Sequence, residues 1–128
     1  MGKIGRVIKE GGLNVWSHEV MMADVLADAG YVVEFLRPTN RRGDQTPDIL
    51  LDGERCEMKS PRASNLKAIE RNLKIGKWQS SRVILASRRM KGIPDGAIER
   101  EIRQRVEGIS GISKVKFINR HGEIIDIT

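Results

Sequence analysis

The sequence predicts a single α/β domain in which a mixed central sheet is flanked by helices. Short runs rich in Val, Ile and Leu, which are typical of strands, alternate with longer stretches whose apolar residues recur at helical spacing. An Asp52-Gly53 pair between two of the short runs predicts a β-hairpin. The chain of 128 residues is long enough for one core but not for two. The predicted order is helix, three strands, helix, strand, helix and two strands.

The composition excludes several classes of protein and favours one class of partner. A single cysteine, Cys56, excludes an internal disulfide and a cysteine-based zinc site. No apolar run is long enough to span a membrane and the N-terminus lacks a signal-peptide core, so we expect no membrane association. The formal net charge is +6, and the cationic residues concentrate between Lys59 and Lys91, where Glu70 is the one acid. Such a basic segment favours nucleic acid as the partner.

Residues 1–13, which include two adjacent glycines, are predicted to be a loose or loosely docked lead-in, and residues 14–128 to be the folded domain. The first helix is predicted to have Asn14 or Ser17 as its N-terminal cap, because either side chain can accept hydrogen bonds from the first backbone N–H groups of a helix. It is predicted to end at Gly30, since glycine readily adopts the left-handed conformation that terminates helices.

Glu19 is the candidate site residue of this helix. The helix has an apolar stripe at helical spacing: Val15, Met22, Leu26 and Ala29. Glu19 lies within the stripe, where a carboxylate without a partner is costly to desolvate. A first-turn acid that complements the helix dipole would explain its place near the N-terminus. A metal ligand aimed at the sheet would also explain its place on the apolar side, and we favour that interpretation. His18, about a quarter turn away, is predicted to be exposed or at the rim of a site.

The hairpin determines which side chains share a face. Residues 31–36 predict a strand, and a polar loop leads from it into the hairpin. The Asp52-Gly53 turn aligns four pairs: Leu51 with Glu54, Leu50 with Arg55, Ile49 with Cys56, and Asp48 with Glu57. Because side chains alternate along a strand, one face is apolar and consists of Ile49, Leu51, Cys56 and Met58. The other face carries Asp48, Glu57 and Lys59.

Asp48 and Glu57 are the candidate metal ligands. Cross-strand partners have Cβ atoms about 4.5–5.5 Å apart, and like charges in such a pair destabilise a hairpin. A divalent cation between the two carboxylates would remove that repulsion. The alternative is that both are solvated on an exposed strand face. Asp44 in the preceding loop competes with Asp48 as a ligand, but we prefer Asp48 because the strand register fixes its position.

The second helix is predicted to run from Ser64 to about Gln79 and to carry a basic stripe beside its apolar one. The residues predicted to bind substrate are Lys67, Arg71, Lys74 and Lys77 on this helix, Gln79 at its end, and Arg88 and Arg89 in a later loop. The alternative for the stripe is a solvated helix face.

The remaining elements complete the α/β pattern. Residues 82–86 form a short apolar run that predicts a central strand. A third helix is predicted to open at Pro94. Residues 114–119 and 123–127 then predict two strands joined by a turn.

The pattern Pro47-Asp48…Glu57-Met58-Lys59, together with the helix acid and the order of elements, resembles the PD-(D/E)XK nuclease superfamily. The resemblance implies a restriction-endonuclease-like core. More closely, Ser17-His18-Glu19, Pro47-Asp48, Asp52-Gly53, Glu57-Met58-Lys59-Ser60-Pro61 and Gln79 resemble the CdiA C-terminal tRNA-nuclease toxin family. That family implies a toxin, often the end of a large secreted protein, which cuts tRNA in the cytoplasm of a competing bacterium and is held in check by an immunity protein.

The expected site follows from these residues and the resemblance. Asp48 and Glu57 would hold Mg²⁺ or Mn²⁺, with Glu19 bound directly or through water and the Met58 carbonyl as a further ligand. Lysine is protonated at neutral pH unless it is strongly desolvated. We therefore assign Lys59 to orienting the attacking water and stabilising the negative charge of the transition state. Gln79 is a candidate to help hold Lys59 or the phosphate, and the alternative is that it only ends the helix.

Three functions are compatible with the sequence. The first, which we favour, is an RNase directed at tRNA. The second is a DNase of the same superfamily, whose active site would have the same residues. The third is a basic nucleic-acid-binding module without catalytic activity, which the convergence of Glu19, Asp48, Glu57 and Lys59 disfavours.

Overall fold

The computed structural model describes residues 4–37 and 48–128. Within these residues, seven strands form one mixed sheet and three helices flank it. The elements in chain order are β1 Arg6–Ile8, α1 Ser17–Asp28, β2 Val32–Phe35, β3 Ile49–Leu51, β4 Glu54–Lys59, α2 Lys67–Lys77, β5 Arg82–Ala86, α3 Asp95–Glu107, β6 Lys114–Ile118 and β7 Ile124–Asp126. The predicted class of a small α/β domain, and the predicted order from the first helix onward, are confirmed.

The strands lie side by side in the order of the chain, β1 to β7. β2, β3 and β4 form an antiparallel meander, whereas β4, β5 and β6 are parallel to one another. Parallel neighbours need a crossover connection, and α2 and α3 provide the two crossovers. β1 lies parallel to β2 at one edge, and β7 is antiparallel to β6 at the other. β4 is therefore a central strand, with β3 on one side and β5 on the other.

The core is divided between two clusters of buried side chains. One cluster contains the buried face of α1 and the apolar side chains of the hairpin, including Met22, Leu26, Ile49 and Met58. The other contains the buried faces of α2 and α3 together with side chains of β5 and β6, including Leu73, Ile102 and Phe117. Because side chains alternate along a strand, a β4 residue between Cys56 and Met58 points away from the first cluster. That residue is Glu57.

The expected loose lead-in contributes β1 to the sheet, so that expectation is wrong for Arg6–Ile8. The physical reason is a close approach of chain segments at Gly5. A Cβ atom placed on Gly5 would lie 2.1 Å from the Ala27 carbonyl oxygen and 2.5 Å from that of Tyr31. The Arg6 N–H then donates to the Tyr31 carbonyl, 3.2 Å away, which begins the pairing with β2.

The predicted starts of two helices are also corrected. The cap residue of α1 is Trp16, not Asn14 or Ser17. The cap residue of α2 is Leu66, not Ser64. At α1 the cause is the side chain of Glu19, which accepts a hydrogen bond from the Trp16 N–H at 2.9 Å. This contact is half of a capping box. The predicted left-handed glycine after the helix is confirmed, since Gly30 has φ of +103°.

Candidate active site

The turn of the hairpin sets the geometry of the candidate site. Asp52 and Gly53 both have positive φ, 48° and 86°, as a type I′ turn requires. The Asp52 carboxylate also accepts a hydrogen bond from the Val32 N–H at 2.7 Å, which ties the turn to β2. The predicted register is confirmed for three pairs: Ile49 with Cys56, Leu50 with Arg55 and Leu51 with Glu54. Continued by one residue, this register places Asp48 opposite Glu57.

The two faces of the hairpin differ as predicted, but Glu57 is more deeply buried than an exposed strand face would allow. The predicted apolar residues are all buried in one cluster: Ile49, Leu51, Cys56 and Met58. On the other face, Glu57 is only 2% exposed. α2 covers it at a glycine, where a Cβ atom on Gly76 would lie 3.8 Å from the Glu57 Cγ. The alternative in which both carboxylates are solvated on an exposed strand face is therefore excluded.

Short contacts bring Asp48, Glu57 and Lys59 together. The Asp48 N–H donates to Glu57 Oε1 at 3.1 Å, and the Met58 N–H donates to Asp48 Oδ2 at 3.0 Å. Lys59 Nζ lies 3.1 Å from Glu57 Oε2. The lysine side chain is itself mostly buried, at 19% exposure. The three side chains that the hairpin pattern placed on one face thus form one compact cluster.

Burial raises the pKa of both carboxyl groups. Burial and the nearby charge of Asp48 raise the pKa of Glu57 to about 7, although Lys59 opposes the shift. Burial also raises the pKa of Asp48, and the charge of Glu19 adds to the rise, while the Met58 N–H and Lys59 lower it. Near neutral pH the pair therefore retains a proton that two exposed carboxyl groups would release. Carboxyl groups with a strongly raised pKa are typical of functional sites.

Glu19 lies near this pair, and its role as a metal ligand stays a prediction. Its Oε1 atom is engaged by the Trp16 N–H, which is the helix-end role that the sequence offered as the alternative. Its charge is nevertheless close enough to raise the pKa of Asp48. Among residues 4–37 and 48–128, no three His, Cys, Asp or Glu side chains are grouped closely enough to hold a metal ion together. Asp44 lies outside the described residues, as does Pro47.

The donor set of the pair nevertheless suits a hard divalent cation. Mg²⁺ is commonly bound through one or two carboxylates, keeps several waters and takes the rest of its shell from substrate phosphates. Two adjacent carboxylates meet that need without a third protein ligand. The predicted ligands Glu19 and Met58 would add a water-mediated contact and a carbonyl oxygen.

The predicted basic stripe of α2 is exposed, and part of it is already paired. Lys67 and Arg71 are exposed, whereas Lys74 lies 3.2 Å from Glu70 and Lys77 donates to the Ser110 carbonyl at 3.2 Å. The Oε1 atom of Gln79, just beyond α2, is buried without a hydrogen-bond partner among the described residues.

A second basic surface lies around the start of α1. A groove of about 890 Å³ is formed by the start of α1, the segment after β4, the loop after β5 and the turn after β6. Its cationic residues are Arg62, Arg88, Arg89, Lys91 and Arg120, and no acid from residues 4–37 or 48–128 lines it. The groove reaches Ser60, next to Lys59, and His18, next to Glu19. We call this surface the basic groove.

The sequence predicted only part of the basic groove. Arg88 and Arg89 were expected in the substrate site and lie in the groove, whereas Trp16, Arg62 and Arg120 carry no local pattern that would have indicated it. Burial and the charges of Arg89 and Arg62 lower the pKa of His18, against the opposing charge of Glu19. His18 is therefore at the rim of this surface, one of the two positions that its helical spacing allowed.

These features define a small α/β domain with an acid pair on the hairpin and an open basic groove that includes Ser60, the residue after Lys59. Residues 45–124 match the family described as the contact-dependent growth inhibition CdiA C-terminal domain, so the chain belongs to that family. Membership identifies it as the toxin domain of a contact-dependent growth inhibition system. The expected relation to CdiA is thereby confirmed, whereas the PD-(D/E)XK assignment stays a prediction.

A solved structure supports the fold. The chain resembles the CdiA-CT/CdiI toxin and immunity complex from Burkholderia pseudomallei, with a TM-score of 0.63 and 22% sequence identity. The match covers 98% of this chain and 96% of that chain. Among curated proteins, none has a sequence that matches this one. The described residues contain no helix that is long and apolar enough to cross a membrane.

Proposed function

We propose that the chain is a metal-dependent endonuclease of the PD-(D/E)XK type that cleaves RNA, with tRNA favoured over DNA. The observation that carries the proposal is the buried Asp48–Glu57 pair with Lys59 Nζ 3.1 Å from Glu57. A purely structural ion pair would need one acid for one lysine. Burial raises the pKa of both carboxyl groups and the charge of Asp48 raises that of Glu57 further, a cost that binding a divalent cation would offset.

In this proposal Asp48 and Glu57 hold Mg²⁺ or Mn²⁺, with the Met58 carbonyl and, through water, Glu19 completing the shell. When bound, the cation supplies Lewis-acid polarisation of a phosphoryl oxygen and makes a water molecule more acidic. The protein contributes a fixed geometry, because the Asp48 N–H and the Met58 N–H each hold one of the carboxylates in place.

Lys59 is the proposed catalytic cation. Its ammonium group is held by Glu57 at the edge of the acid pair and is mostly excluded from water. In that position it would orient the attacking water and stabilise the charge that develops on the phosphate in the transition state. Such an interaction is stronger in a poorly solvated site than in water.

Charge and family membership favour RNA as the substrate. Of the described residues, five cations and no acid line the basic groove, which suits a phosphate backbone. CdiA C-terminal toxins are commonly nucleases. The preference for tRNA over DNA rests on the resemblance of the sequence motifs. A DNase with the same site is the second candidate and is distinguished by substrate alone.

We also propose an immunity protein as the partner and the cytoplasm of a target bacterium as the place of action. The structural neighbour is a complex of a toxin with an immunity protein. A secreted protein that carries this domain would deliver it, and a cognate immunity protein would protect the producing cell.

The test is to incubate the purified protein with total RNA and with plasmid DNA, each with Mg²⁺ and with EDTA. We expect RNA cleavage that needs Mg²⁺ and that Asp48→Asn reduces by at least about 100-fold. The matched control is Glu54→Gln, which removes an exposed acid from the same hairpin and should cleave like the parent protein. Cleavage of DNA alone would favour the second candidate. Cleavage that persists in EDTA, or no cleavage with unchanged binding of nucleic acid, would overturn the proposal.

A further inference from the structure

Trp16 is an exposed aromatic side chain with no structural use for its ring. It is 73% exposed, and only its backbone takes part in the start of α1. Its ring stacks on that of His18, with a centroid distance of 6.4 Å and an angle of 15° between the planes. A large apolar ring left in water forfeits the free energy that its burial would provide. The stacked pair leaves the Trp16 ring as a flat, exposed surface.

This flat surface belongs to the basic groove, because Trp16 and His18 both line it. Across the groove lie Arg62, Arg88 and Arg89, which have no ion pair among the described residues. The Nε atom of Arg89 is buried without a hydrogen-bond partner among these residues. A buried donor without a partner is costly, so an acceptor from a ligand would relieve it.

The groove also has a fixed framework, which separates it from a chance cluster of mobile side chains. Asp95 holds one wall of the groove through three contacts. It accepts hydrogen bonds from the buried Ser87 hydroxyl at 2.5 Å, from the Arg120 N–H at 3.0 Å and from the Arg120 guanidinium at 3.2 Å. The same guanidinium donates to the Met90 carbonyl. The loop that carries Arg88 and Arg89 is thus tied to the turn after β6.

We propose that the basic groove binds an unpaired nucleotide of the RNA, whose base stacks on Trp16 and whose phosphates contact Arg62, Arg88 and Arg89. Stacking on an aromatic ring beside a cationic track is the way proteins bind single-stranded nucleic acid. A base in a duplex is already stacked and would not fit this surface. The inference rests on the proposed function for the identity of the polyanion. It adds where the RNA binds and that the bound nucleotide is unpaired.

The position of the groove relative to the acid pair gives the subsite a role. Ser60 follows Lys59 directly and lines the groove, and His18 precedes Glu19, whose charge affects Asp48. In this proposal a nucleotide held on Trp16 belongs to the same RNA strand as the phosphate to be cut. The subsite would select RNA segments in which a base next to the cut is unpaired, such as a loop or a single-stranded end.

Trp78 provides a matched control within the same chain. It is 70% exposed, much like Trp16, but follows α2 outside the groove and has the Lys77 ammonium 5.4 Å from its ring centroid. Loss of either ring should affect solubility and fluorescence similarly. Only Trp16 should affect RNA binding through stacking.

The experiment measures the dissociation constant by fluorescence anisotropy in EDTA, so that no metal-dependent cleavage occurs. The probes are a labelled eight-nucleotide RNA and the same RNA annealed to its complement. For the single strand we expect Trp16→Ala to weaken binding by about 10–100-fold, Trp16→Phe to retain most of the affinity, and Trp78→Ala to change it less than about twofold. Binding of the duplex should change less than about twofold in all three. The thermal unfolding midpoint of each variant checks that the fold is kept.

Several results would overturn the subsite: equal effects of Trp16→Ala and Trp78→Ala, equal effects on both probes, or no binding of either probe by the parent. The cleavage assay separates the two proposals. Stacking that depends on Trp16 in a protein that cuts no RNA would support the subsite and overturn the nuclease. RNA cleavage by a protein whose RNA binding does not depend on Trp16 would support the nuclease and overturn the subsite.

Discussion

The acid pair and the basic groove differ in nearly every physical respect. The acid pair is small and buried, comes from two neighbouring strands and places like charges against each other. The groove is open, comes from four separate segments and has cations spread along its walls, with no acid among the described residues that line it. Solvated cations cost the fold little, whereas two buried carboxyl groups oppose it. Under the proposed function, this difference would be a division of labour in which the pair supplies chemistry and the groove supplies affinity.

The largest expected effect comes from the lysine of the acid site. Lys59→Met should reduce the rate of RNA cleavage by at least about 100-fold, because the transition state loses its nearest cation. The dissociation constant for RNA, measured in EDTA, should change less than about threefold, since one phosphate contact at most is lost. Initial rates and anisotropy on the same preparations give both numbers. A parallel loss of affinity would contradict the division of labour.

The next largest effect separates the groove from the basic stripe of α2. Changing Arg62, Arg88 and Arg89 together to Gln should weaken RNA binding by about 10–100-fold and flatten its dependence on salt concentration. The same treatment of Lys67, Arg71 and Lys74 tests the predicted stripe. We expect it to lower affinity less, because Lys74 is already paired with Glu70. Anisotropy at four salt concentrations gives the slopes. A larger slope change for the stripe would assign the main phosphate track to α2.

The acid pair should also make stability depend on pH in the absence of metal. The pKa of Glu57 is about 7 in the folded protein and near 4.5 in the unfolded chain. Between these values the folded state binds more protons than the unfolded state, so the contribution of Glu57 to stability is present below pH 4.5 and lost as the pH rises to 7. In EDTA, Tm of the parent should fall across this range relative to Tm of Glu57→Gln. A difference that is flat with pH would mean that the carboxyl group is not buried.

Glu19→Gln should have the smallest effect on stability. Glutamine can still accept the Trp16 N–H hydrogen bond, so the loss should be below about 1 kcal/mol, as a thermal melt can show. Removing the charge of Glu19 should lower the pKa of Asp48, because that charge now raises it. Cleavage should become slower if Glu19 also orients metal-bound water. An unchanged rate would leave Glu19 as a helix-end residue alone.

The sequence predicted those structural features that depend on residues close together in the chain. The hairpin register follows from two residues that tolerate positive φ and from alternation along each strand, so the pairing of Ile49 with Cys56 was predictable. The burial of Glu57 was not, since it depends on β5 pairing with β4 and on Gly76 of a distant helix.

The groove and the edge strand were missed for the same reason. β1 has three residues and is held by the close approach of Gly5 to the end of α1. Trp16 and Arg62 are far apart in the chain and carry no shared pattern. Their proximity results from the packing of α1 and the loops around the ends of the strands. Sequence patterns indicated the chemistry of the hairpin, but only tertiary structure brought the binding surface together.

Calorimetric titration of the purified protein with Mg²⁺ tests the central claim most directly. The account predicts one binding event in the parent, stronger at pH 8 than at pH 6 because the proton on Glu57 must leave, and none in Asp48→Asn or Glu57→Gln. Glu54→Gln should bind like the parent. Binding that both acid-pair variants retain, or a parent that binds neither Mg²⁺ nor Mn²⁺ at millimolar concentration, would contradict it.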